Sequence, residues 1–89
     1  MVASSEKVLY RLRMMSPEQC RAARGWLGWT QQELATNAKV GLSTVKDFEK
    51  GGRKTIPATA EAMQRAIEAA GIIRLAFDQE GNPTGIEIA

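Results

Sequence analysis

Apolar and polar residues alternate with two different periods along this chain, and the change falls near residue 71. Up to that point the spacing is helical. Ser16-Pro17-Glu18-Gln19 combines an N-cap serine, a proline suited to the first turn and a glutamine that completes a capping box. Cys20, Ala23, Arg24 and Leu27 follow at helical spacing, and Gly28 supplies a stop. Thr30-Gln31-Gln32-Glu33 is a second capping box, so a second helix starts almost at once, with Leu34, Ala35 and Ala38 as its apolar face. After Lys39-Val40-Gly41 the pattern resumes over Leu42–Lys50 and closes at Gly51-Gly52. In this short third helix Val45 and Phe48 form the inward side, leaving Leu42, Ser43, Lys46, Asp47 and Lys50 outward. Pro57 opens a fourth helix with Ala60, Met63, Ile67 and Ala70 at core spacing, ended by Gly71.

Beyond Gly71 the period falls to two. Ile73, Leu75 and Phe77 alternate with Ile72, Arg74 and Ala76, and Ile86 and Ile88 flank Glu87. Gly81-Asn82-Pro83 between them is a turn signal, predicting a β-hairpin with a longer loop. A lone hairpin is marginal in water, so its apolar face must pack on the helical body, on the N-terminal segment or on a second chain. Residues 1–15 fit a strand and a helix equally well and are read as an N-terminal extension, with a helical domain at 16–71 and a hairpin tail at 72–89.

Eighty-nine residues, 44% hydrophobic and 25% charged, suit one small globular domain. Histidine is absent and Cys20 is the single cysteine, which removes histidine acid/base chemistry, Cys/His zinc sites and an internal disulfide. No catalytic constellation, metal site or cofactor is expected, and Cys20 reads as a small packing residue. Charges interrupt residues 1–15 and no apolar run can span a bilayer, which predicts a cytoplasmic protein without a membrane partner. The formal charge is +2, but residues 1–74 carry +5 and the tail from Leu75 carries −3. A basic body suits a polyanion, and an acidic tail suits another role.

Two helices joined by a tight connection, the second with a polar outer side, have the logic of groove reading: the major groove admits one α-helix. The string Thr30-Gln31-Gln32-Glu33-Leu34-Ala35 through Val40-Gly41-Leu42-Ser43-Thr44-Val45-Lys46-Asp47-Phe48-Glu49-Lys50-Gly51 resembles the phage-repressor or Cro-like (XRE-like) helix-turn-helix family, over residues 16–71. The resemblance implies a mainly α, lambda-repressor-like four-helix domain, here followed by the hairpin. It also implies a transcription regulator that binds double-stranded DNA as a homodimer, with Leu42, Ser43, Thr44, Lys46 and Asp47 at the bases. Thr30 and Gln31 at the start of the second helix, and Lys50, Arg53 and Lys54 past the third, fall at phosphates. Arg24 and Glu49 correspond to a pair that locks the third helix against the first.

Two positions depart from the family pattern. Lys39 stands where the turn usually has glycine, and Gly41 replaces the usual serine cap, which predicts a reshaped turn. The usual fifth helix is replaced by the hairpin, and its alternating Ile73, Leu75, Phe77, Ile86 and Ile88 are expected to build the dimer contact. Trp29 is expected under the helix junction, while Trp26 fits core or surface. Arg11 and Arg13 fit a solvated segment or a minor-groove arm. Together these features predict a sequence-specific regulator, a repressor on an inverted repeat. The alternative is an antitoxin-type module whose acidic tail holds a protein partner while its body binds its own promoter.

Overall fold

The computed structural model describes residues 13–51 and 55–89, so Arg11, Arg53 and Lys54 lie outside the described residues. The described elements are helices α1 (Pro17–Leu27), α2 (Gln31–Ala38), α3 (Leu42–Glu49) and α4 (Pro57–Ala69), then strands β1 (Ile73–Phe77) and β2 (Pro83–Ile88). The chain is thus a mainly helical domain with a C-terminal hairpin.

Both capping boxes form. Ser16 accepts from the Gln19 amide and Gln19 Oε1 accepts from the Ser16 amide; Thr30 and Glu33 repeat the exchange at α2. Each closed box satisfies two of the amide donors that a helix start leaves unpaired. Gly28 ends α1 at φ 72°, in the left-handed region where a missing Cβ removes the steric cost. Lys39 ends α2 in the same region, at φ 59° and ψ 42°. The lysine itself takes the left-handed conformation that glycine would adopt without strain, costing about 1 kcal/mol. Gly41 caps α3 from extended backbone without any side-chain bond.

Met15, Cys20, Ala23, Leu34, Val45, Met63 and Ile67 meet in one buried core shared by all four helices. The boundary expected after residue 15 is corrected by this packing, because Met15 is a core residue and Met14 packs against the same cluster. Burial of a methionine-sized side chain is worth about 2 kcal/mol, so the stretch just before α1 belongs to the folded body. Leu42 also departs from its expected outward placement. It is half-buried against the core, where the first turn of α3 turns inward. Trp29 packs on the core, whereas Trp26 is 58% exposed.

The strands pair antiparallel, with Ile73 opposite Ile88, Arg74 opposite Glu87, Leu75 opposite Ile86 and Phe77 opposite Pro83. Pro83, expected inside the loop, begins β2, a strand-start position that needs no ladder donor. Asp78 holds the turn by accepting from the amides of Glu80 and Asn82. These bonds, the Asn82 amide first, keep its carboxyl below the usual range.

The hairpin docks on the helices of its own chain, β1 against α4 and β2 against α1. Ile73 is fully buried and Leu75 is 7% exposed, both inside the helical core. Both belong to the five residues expected at a dimer contact. They are consumed within the chain, because a two-stranded sheet gains its stability by covering one face. Phe77 and Ile86 are half-buried against the same core, and Ile88 is 60% exposed. The buried side chain of Gln19 helps to tie the layers together: its Nε2 donates to the carbonyls of Ala76 and Gly85, both at 2.8 Å.

Candidate nucleic-acid interface

The connection between α2 and α3 is short because both ends are fixed by backbone bonds. Val40 N–H reaches Ala35 O at 3.0 Å, and the Thr44 and Val45 amides return to Gly41 O at 3.1 and 3.3 Å. Helix α3 is then clamped from below. Val45 and Phe48 are buried, and so is the carboxylate of Glu49.

Glu49 is the hub of this clamp. Arg24 approaches it with both prongs of the guanidinium, Nε to Oε2 at 2.7 Å and Nη2 to Oε1 at 2.8 Å. Gln31 Nε2 donates to Oε1 at 3.0 Å, and the Cys20 thiol donates to Oε2 at 3.0 Å. Arg21 donates to the Glu49 carbonyl, placing a cation at the C-terminal end of α3 where the helix dipole favours it. Arg24 also donates to Trp29 O at 3.0 Å, which joins the α1–α2 junction to the same network.

The electrostatics follow from this geometry. Burial alone pushes the Glu49 carboxyl up, but donors from Arg24, Cys20 and Gln31, with the Arg24 charge, outweigh it and hold the group below its ordinary value. Arg24 is pushed up by its bond to Glu49. Burial first, then the bond and charge of Glu49, pushes the Cys20 thiol far up, so Cys20 stays protonated and serves as a donor. The carboxylate is acceptor-only and has all its donors in place, which makes a buried charge tolerable.

Placement of the sequence-predicted residues divides them. Arg24, Glu49 and Gln31 come together in the clamp, and Gln31 turns toward Glu49 as well as standing at the start of α2. Cys20 and Arg21 join the clamp without any sequence signal beyond their place on α1, since one turn separates each from Arg24 on the helix surface. On the opposite side of α3, Ser43, Lys46 and Lys50 are exposed, and Thr44 and Asp47 are half-buried. Among the described residues, none of these five side chains has a hydrogen bond or salt bridge, whereas Glu49 beside them takes four side-chain donor contacts. The Thr30 hydroxyl oxygen accepts from the Glu33 amide of its own helix and keeps its O–H as a donor. No helix among the described residues is long and apolar enough to cross a membrane.

A model of the family described as helix-turn-helix matches residues 21–69, the stretch that contains the clamp apart from Cys20, the turn and α3. No curated protein matches the chain. The family match covers more than half of the 89 residues, and the observed helices bear it out. The chain therefore belongs to the XRE-type helix-turn-helix family, and is a DNA-binding transcription regulator of that type.

Proposed function

We propose that the protein is a sequence-specific repressor that inserts α3 into the major groove and acts as a homodimer on an inverted repeat, with half-site centres about one helical turn apart. The observation that carries this reading is the unspent outer side of α3: Ser43, Thr44, Lys46, Asp47 and Lys50 make no side-chain bond among the described residues, while the inner side is locked. A polar helix face without internal partners stays in water or meets a partner that supplies donors and acceptors, as base edges do.

In this reading Ser43, Lys46 and Asp47 face bases, with Thr44 beside them and Leu42 offering its exposed part to a thymine methyl. Lys50, Arg53 and Lys54 hold phosphates, together with the α2 start at Thr30 and Gln31. The dimer contact uses what the core leaves over, Phe77, Ile86 and Ile88 of the hairpin. Footprinting and fluorescence titration on duplex DNA from upstream of its own coding region test the proposal. Protection of a dyad site is expected, with log affinity falling against log salt by about 0.9 for each neutralised phosphate. A flat salt response, or no protected site, would overturn it.

A further inference from the structure

Resting on that reading, we infer that α3 carries an adenine-selective site, in which Asp47 accepts from the N6 amino group and Ser43 donates to N7. Ser43, Thr44 and Asp47 line one cleft of about 350 Å³ with Thr55, which arrives from the segment before α4. Its four residues carry one carboxylate and three hydroxyls. Among the described residues none of the four side chains has a hydrogen-bond partner, and Thr55 Oγ1 is buried without one. Ser43 and Asp47 are one turn apart, so their side chains share a face. Ser43 is exposed at the mouth and Asp47 half-buried.

The chemistry of the base edges selects the ligand. Guanine and thymine present carbonyl oxygens, O6 and O4, where adenine and cytosine present an amino group. A carboxylate accepts only, so it repels the first pair and suits the second. Phosphate is rejected on the same ground. Between the remaining two, cytosine offers a donor alone, which Asp47 can accept while the hydroxyls stay unused. Adenine offers the N6 donor beside the N7 acceptor, and a carboxylate next to a hydroxyl matches both. Thr44 and Thr55 line the same cleft beside the carboxylate.

The test starts from a pool of random-sequence duplexes selected on the full-length protein. Selected sites are expected to hold adenine at one fixed position of each half-site, and Asp47→Ala is expected to lose the preference there and nowhere else. Replacing that adenine by 7-deazaadenine removes N7 alone. Binding should weaken by roughly tenfold for the natural protein and by less than twofold for Ser43→Ala, which has already lost the donor. Asp47→Asn supplies acceptor and donor from one amide, so it should keep adenine and make Ser43→Ala silent. Cytosine at the Asp47-dependent position, or indifference to 7-deazaadenine, overturns the inference while leaving groove reading intact. Selection of no sequence at all, with salt-insensitive binding, overturns groove reading itself.

Discussion

Replacing Gln19 by glutamate separates two jobs that one side chain performs. The capping box needs only an oxygen to accept from the Ser16 amide, and glutamate serves it as well as glutamine. The hairpin needs the Nε2 donors, which reach Ala76 O and Gly85 O at 2.8 Å each. Gln19→Glu removes both donors and sets a carboxyl against two carbonyl oxygens at a site only 4% exposed. Two lost bonds cost about 2 kcal/mol, and burying an unpaired charge adds at least about 1. The sum, about 3 kcal/mol or more, is a large share of the roughly 4–13 kcal/mol expected for a chain this size. Because the buried carboxyl has its pKa raised above the unfolded value, the penalty belongs to neutral pH. Below the unfolded value the protonated acid can donate to one carbonyl, and the loss should shrink to about 1 kcal/mol. Urea melts of the natural protein and the variant, compared at each of several pH values, read both numbers. A difference under about 0.5 kcal/mol at pH 7, or one that does not shrink in acid, would refute the latch.

Four further outcomes follow from the same structure. Glu49→Ala strands the Arg24 guanidinium, whose side chain is 19% exposed, and should cost about 3 kcal/mol in urea melts, with Arg24→Met plus Glu49→Ala costing less than the sum of the single changes. Glu49 titrates below its ordinary value of 4.5, so its contribution is complete above that pH and is lost as pH falls through its lower folded value; a melting midpoint insensitive to acid in Glu49→Gln but not in the natural protein would show it. Lys39→Gly relieves a left-handed lysine at φ 59° and should stabilise by no more than a few tenths of a kcal/mol after the unfolded-state entropy of glycine is deducted, read by thermal melts. Lys50→Ala should weaken binding to all duplexes alike and reduce the salt slope by about one phosphate, measured by titration at several salt concentrations, whereas Ser43→Ala should change the choice at one base pair.

Local chemistry was enough to find the elements. A capping box is a relation between residues three apart, a stop glycine acts on its own φ, and the step from helical to alternating apolar spacing needs no knowledge of the rest of the chain. Hence Ser16, Thr30, Pro57 and the hairpin turn announce themselves, and the polar side of α3 is visible as Ser43, Lys46, Asp47 and Lys50. The sequence also put Arg24 and Glu49 forward as a pair, though only through resemblance, since nothing local links residues 25 apart.

What the tertiary structure alone decided is where shared surfaces go. Alternation says that Ile73 and Leu75 share a face but not whether that face meets its own helices or a second copy; packing against α4 settles it, because a two-stranded sheet cannot leave both faces wet. Gln19 reads locally as a helix cap, yet its other end latches the hairpin, and Cys20 reads as filler, yet its thiol donates to Glu49. A side chain's direction and its donors' partners depend on elements distant in sequence, and those meet only when the chain has folded.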